Sequence, residues 1–485
     1  MLRSFGALLG LAFAQTVLIE NAEELSGTAT IRILRGGVVL RQDTIQLFCE
    51  EAEVHEGGYF AARGATRTLI GQSGHITAQQ LHYDPLQRKL TYTGHVTAQF
   101  GSATLRTQHL FYERATETAY YEGGGTLTDT SGTIRSTWAA YHVPTQTAHF
   151  SGQVRIEKTP YLAYTDTLWY EVDSSLAVFP KAFAVYNQSE PETLKAQAGQ
   201  WDRLRGHIHL HSQAEWRSTQ AALFSNYAFY DQGADTGYAA CEVRYLSRTG
   251  RGWGIADSAF WKADTLRLQA NVAAFLFSPQ DTAFVQAETA LLTGAQVRLL
   301  QQATLLRPPL SAMADTLSYD TLAHIAELSG HAWLQSHPYQ LFAEYVRLHF
   351  HEETPESLYA VGQVRVVSEA DSFLRFYHQV CSENAQAAWD TLIGTFSPLH
   401  FSGKVLAIYY QAEGPHWQGA HEILEAGALY LEMGADRQPR YLRLEEQPRG
   451  RFIPIRLLLQ KPLFMRPFAW RPAAEQPRWP IHSGY

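Results

Sequence analysis

The chain has 485 residues, 45% of them hydrophobic and 18% charged, which is enough apolar material for about three cores of the usual ~150-residue size and excludes a disordered tail. Its 39 basic and 47 acidic residues leave a net charge of −8, without the concentrated positive field that a phosphate backbone requires, so nucleic acid is excluded as a partner. Three cysteines, Cys49, Cys241 and Cys381, stand far apart with no CxxC pair, which excludes a zinc module or a disulfide scaffold and leaves open whether any two of them pair.

In chain order, Arg3 precedes the apolar run Phe5 to Phe13, and Ala12-Phe13-Ala14 has the small-x-small form read by signal peptidase. Residues 1–14 are therefore expected to be a secretory signal, cleaved before Gln15. No later stretch approaches the ~18 uninterrupted apolar residues of a membrane helix, so the mature chain is expected to be soluble outside the cytoplasm.

A repeat follows. Tyr83, Tyr112, Tyr141 and Tyr170 are each 29 residues apart, and Leu90, Ala119, Ala148 and Ala177 keep the same step. So do Tyr92, Tyr121, Phe150 and Phe179, and so do Gly94, Gly123 and Gly152, until Lys181 breaks the glycine column. Parallel columns at one period mark a repeat architecture. Within a unit the period is two: Leu90, Tyr92, Val96, Ala98 and Phe100 alternate with polar residues, as in a strand half buried against a core. In the first arm the phase slips near Gln79, since Ile76 and Ala78 share one parity and Leu81 and Tyr83 the other. An extra residue that keeps apolar side chains inward marks a bulge or corner. Each unit of about 29 residues is thus expected to be a two-armed coil: a bent arm, a turn such as Asp84-Pro85, and a long return arm. Stacked coils would build one elongated, sheet-walled trough, an all-β solenoid.

Residues 187–200, polar and containing Pro191, are expected to form a loop that ends the regular region 15–186. Residues 201–447 continue the pattern less regularly; Tyr319 precedes Gly330 by the 11 residues that separate Tyr83 from Gly94. Residues 448–485, rich in proline and arginine, are expected to cap or wrap the solenoid, or to form a cationic tail.

Period two places His207, His209 and His211 on one strand face, which permits metal ligation, but Gly206-His207-Ile208 repeats the grammar of Gly94-His95-Val96 and favours an ordinary outward face. His421-Glu422 lacks the second histidine of HExxH, and no phosphate-cradling loop occurs. The expectation is a protein without catalytic residues, metal or cofactor.

The segments Leu18-Ile19-Glu20-Asn21-Ala22-Glu23-Glu24-Leu25, Arg35-Gly36-Gly37-Val38-Val39-Leu40 and Cys49-Glu50-Glu51-Ala52, followed by LHYD, LFYE, AAYH and LWYE units, resemble the OstA-like proteins, relatives of the lipopolysaccharide-transport proteins LptA and LptD. The resemblance is good over residues 17–186 and looser to about 470. It implies an elongated open β-jellyroll, or β-taco, whose interior holds acyl chains. It also implies lipopolysaccharide or a related acylated glycolipid as cargo, and other lipopolysaccharide-transport proteins as partners by end-to-end strand addition. The location implied is the periplasm, with possible attachment to the outer membrane. The edges expected to pair are Leu18 to Ile33 and Arg451 to Leu459. The groove would be lined by Tyr83, Leu90, Tyr92, Val96, Phe100, Tyr112, Tyr121, Leu127, Phe150, Val154, Phe179 and Phe183. From the residues alone this stripe reads equally as a dry core; only the resemblance turns it toward lipid. The chain is too short to add the transmembrane barrel of LptD-like proteins, which favours a soluble bridge. The competing reading is an extracellular β-solenoid that binds or processes polysaccharide.

Overall fold

The computed structural model describes residues 17–42, 44–70, 74–248, 252–263, 265–277, 282–351, 354–414, 416–435, 439–472 and 475–478; the expected signal segment 1–14 lies outside them. The fold is all-β. Apart from one helical turn at Ile455–Leu458, the regular elements among the described residues are strands paired antiparallel, and no described helix is long and apolar enough to cross a membrane. The chain forms two compact units, residues 1–219 with 226–235 and residues 220–225 with 236–485, so the division falls later than the expected boundary at 187–200.

In the first unit the 29-residue repeat is a hairpin. Gly74–Asp84 pairs with Lys89–Phe100, which pairs with Ala103–Glu113, and the meander continues through Thr118–Asp129, Gly132–His142, Thr147–Lys158 and Tyr161–Glu171. Both the first arm and the long return arm bend, at the phase slip near Gln79 and at the glycine at 94. The register slips at Thr77/Gln80 in one strand and at Thr93/Val96 in the next, and again at Arg135/Trp138 and Ser151/Val154. Each slip inserts residues at mid-strand, so the two arms of a strand keep their apolar faces inward while running in two different walls. The corner needs left-handed backbone, supplied by Gly94 (φ +80) and His95 (φ +48) and repeated at Gly152 and Gln153. A Cβ on Gly94 would also lie 2.2 Å from Gln79 Oε1, the side chain that covers the corner from the preceding strand.

Turns close the arms with side-chain acceptors. Asp84 Oδ1 accepts from the backbone N–H of Leu86 and Gln87 (2.9 and 3.2 Å), and Asp202 and Asp231 repeat the device.

Where Lys181 replaces the glycine, the strand divides into Leu176–Phe179 and Phe183–Asn187, both paired with Tyr161–Glu171. The expected loop at 187–200 is mostly strand: Glu192–Ala196 and Ala198–Asp202 pair with the divided strand and with His207–Arg217. Its polarity belongs to outward positions such as Lys195 and Gln200, while Leu194, Ala196 and Trp201 are buried, and only 188–191 turns.

The second unit repeats the bent meander from Thr236–Ser247 to His416–Met433, with strands lengthening from 11–13 residues to 15–19 beyond Thr354. Its last strand is split into Pro439–Glu445 and Arg449–Pro454, so strand structure runs past the expected boundary at 447. The C-terminal segment then lies over the outer face of its own unit. Gln379 donates to Leu463 O (3.2 Å) and accepts from Met465 N (2.9 Å), and Gln340 clasps the Arg471 backbone likewise (both 2.8 Å). Leu458 packs on Phe376, Ile408, Tyr410 and Ala420.

Candidate functional site

The interior between the two walls of the first unit is the candidate site, and it is built by register. One inner row runs straight across the ladder: Leu81 opposite Tyr92, Tyr92 opposite Leu110, Tyr121 opposite Ala139, Ala139 opposite Phe150, and Phe150 opposite Leu168. Phe179 continues it opposite Gly199. All twelve residues expected to line the groove are less than 5% exposed. Tyr83, Leu90, Tyr92, Tyr112, Tyr121, Phe150 and Phe179 lie on the arms of one wall; Val96, Phe100, Leu127, Val154 and Phe183 lie on the other.

The walls touch. Phe100 meets Tyr141 at 5.2 Å between ring centroids, and Phe179 stacks on Phe183 at 4.1 Å. The void enclosed by Phe100, Leu105, Tyr121, Leu127, Tyr141 and Phe150 is about 10 Å3, room for about one water. The expected trough is thus closed by its own side chains, because aromatic rings from both walls are large enough to fill it and apolar surface gains by meeting. At the corner broken by Pro180–Ala182, Val154 and Phe183 border an open cleft of about 620 Å3 that also touches Gln153 and Tyr164. The interior is neutral: burial pushes the Tyr92 and Tyr121 phenols up, that of Tyr121 to about 12, against a smaller opposing effect of the Ser136 hydroxyl 2.7 Å away.

Two rows of turns form the lips of this fold, and polar side chains join them. Arg114, on one lip, donates to Gln42 Oε1 (2.8 Å) on the other. Further along, Tyr170 hydrogen-bonds Asp129 and lies 3.2 Å from Ser131 Oγ, while Lys158 Nζ donates to the Arg203 carbonyl. Sequence reasoning missed these residues, because charged side chains in turns are unremarkable until the fold brings distant turns together.

His207, His209 and His211 lie on the outer face against Tyr227 and Phe229, and among the described residues no three potential ligands cluster. Burial, followed by the neighbouring histidines, lowers the His209 pKa. The three cysteines are free thiols, and burial pushes that of Cys49 up to about 12, so it stays protonated.

A family model described as OstA-like protein matches residues 14–166. Over that segment the chain is similar to OstA-like proteins. The OstA-like segment contains every expected groove residue except Phe179 and Phe183. Among solved structures, the chain is similar to LptH from Pseudomonas aeruginosa, described as the LptA homologous periplasmic component of the conserved lipopolysaccharide transport device. That likeness has 13% identity and a TM-score of 0.22, covering 23% of this chain and 82% of LptH, and a score this low decides nothing by itself. No curated protein matches.

Proposed function

We propose that this protein is a periplasmic carrier for lipopolysaccharide or a related acylated glycolipid, taking acyl chains between the walls of its OstA-like segment and passing them toward the outer membrane. The observation that carries the reading is the inner row from Leu81 to Leu168, apolar and neutral across seven consecutive strands, six of them wholly within the segment matched by the OstA-like model. Burying a 12-carbon chain contributes on the order of 10 kcal/mol at ~0.8 kcal/mol per methylene, to set against the cost of parting the walls at their lips, where side chains join them. Partners of the same transport system would add strands at the ends. Leu18–Asn21 and Glu24–Gly27 pair only with Ile31–Gln42, and Pro439–Glu445 and Arg449–Pro454 only with His416–Met433, among the described residues. The second edge is therefore Pro439–Pro454; of the expected Arg451 to Leu459, the last residues are helical.

A photo-reactive residue at Tyr92 or Phe150 should crosslink to lipopolysaccharide, and adducts confined to outward positions would reject the reading. The polysaccharide alternative is favoured by one feature, the outer-face aromatics Trp169, 48% exposed beside His149, and Tyr164 beside Tyr186. Glycan-array binding without lipid binding would select it.

A further inference from the structure

Parting the lips would open the length of the interior to acyl chains, so what holds them matters. Arg203 sits in the turn after Ala198–Asp202 on one lip, and its side chain is fully buried against the turn 129–132 of the other. The fit is close: a Cβ on Gly132 would lie 2.6 Å from Arg203 Nη2. The guanidinium is 3.8 Å from Asp129 Oδ2 and 5.3 Å from the Tyr170 ring centroid, yet none of its three nitrogens has a hydrogen-bond partner among the described residues. Asp129 is otherwise engaged, accepting from Ser131 N and Oγ (2.8 and 2.7 Å) and from Tyr170. Lys158, on the same lip as Asp129, donates to the Arg203 carbonyl, and its pKa is lowered first by burial and then by the Arg203 charge.

The fully buried Arg203 guanidinium thus faces one carboxylate, Asp129, that is already occupied, while the part-buried Lys158 beside it adds a second cation whose opposing charge is Asp202. A buried guanidinium with unspent donors is costly, and a second anion with free lone pairs would relieve it. We propose that Asp129, Lys158 and Arg203 form a latch across the seam, opened by exchange: a phosphate or carboxylate on the incoming amphiphile replaces Asp129 on the guanidinium. The proposal rests on the carrier reading and adds to it the chemistry of the headgroup and the place where it is first held. Opening at this point exposes the row through Phe150, so the anion and the acyl chain are received together.

The test uses the full chain and three probes: dodecyl phosphate, dodecyl maltoside and inorganic phosphate, with binding measured by titration calorimetry. Dodecyl phosphate should bind about tenfold tighter than the maltoside, as charge-assisted hydrogen bonds to a buried guanidinium allow, and inorganic phosphate far more weakly than either. Arg203→Gln should abolish the preference, read as the ratio of the two affinities falling to about one. Asp129→Asn, which removes the competing carboxylate, should tighten dodecyl phosphate several-fold. Where Arg203→Gln does not fold, as judged by circular dichroism, Asp129→Asn decides, and unchanged or weaker phosphate binding overturns the latch. Equal affinity for the two amphiphiles, or inorganic phosphate binding as tightly as dodecyl phosphate, overturns it while leaving the carrier reading intact. Failure of both amphiphiles to bind rejects the carrier reading and the latch together.

Discussion

The two units run the same bent meander on different residues. In the first, the inner row carries Tyr92, Tyr121, Phe150 and Phe179; in the second, the corresponding row is Leu268, Ala290, Leu299, Leu317, Leu328 and Val346. The corners differ too. Glycine turns them at Gly94, Gly123 and Gly152, whereas Cys241-Glu242, Ala270-Asn271 and Gln301-Gln302 adopt the same left-handed backbone with side chains attached. Glycine returns at Gly330, Gly362 and Gly403. The corner is therefore demanded by the sheet, which must bend to enclose its apolar face, and glycine is only its cheapest occupant. The second unit also spends its C-terminal segment covering its outer face, which buries Gln340, Gln379 and Trp333 on the side that strands usually leave wet.

The comparison is broken most forcefully at the inner rows. Phe150→Ala should cost about 4 kcal/mol and Leu328→Ala about 3 kcal/mol in chemical denaturation, because each leaves a hole that a close-packed core refills only partly. Near-zero cost at Phe150 alone would mean that the aromatic row is loosely packed and already separable.

Next in size is a pH effect carried by one histidine of the second unit. Burial pushes His378 down to about 4, and its Nδ1 accepts from Tyr410 N at 3.2 Å, so the folded state holds the ring neutral. The unfolded chain takes up a proton near 6.5, so it binds more protons than the folded chain between these two values. Stability present above about pH 6.5 should fall by up to about 3 kcal/mol as the pH drops toward 4, at 1.36 kcal/mol per unit. His378→Phe should flatten that part of the profile, and an unchanged slope would assign the loss to other groups.

Corner chemistry comes last and works in opposite directions in the two units. Gly94→Ala should destabilise by about 1–2 kcal/mol, since φ +80 strains an L-residue and the new methyl meets Gln79. Gln301→Gly, at φ +64 and exposed, should stabilise by up to about 1 kcal/mol by removing strain of the same kind. Thermal or denaturant midpoints of the two variants check the pair, and equal signs would show that the corners are not equivalent.

How much could be read in advance follows the same division. The phase slip at Gln79 and the glycine at 94 announced the corners of the first unit, because a parity change or a missing side chain leaves a mark in the chain. Gln301-Gln302 turns the same corner and leaves no such mark, so regularity seemed to fade beyond residue 186. The stretch 187–200 misled because its strands are short and their outward positions carry most of the polar residues, so alternation has little length in which to appear. Among the site residues, Tyr92 and Phe150 were legible from alternation, while Arg203 and Asp129 were not, since 74 residues of chain separate them and only the folding of two walls onto each other brings their turns together.

Local chemistry thus determined that this chain forms strands, which side of each strand is apolar, and that a unit of 29 residues recurs, because side chains alternate across a strand whatever that strand pairs with. Tertiary structure alone decided that the apolar walls meet without a hollow and that a buried guanidinium spans the lips. Both depend on how the bent walls twist past one another, a sum over many small backbone angles that no short stretch of residues encodes.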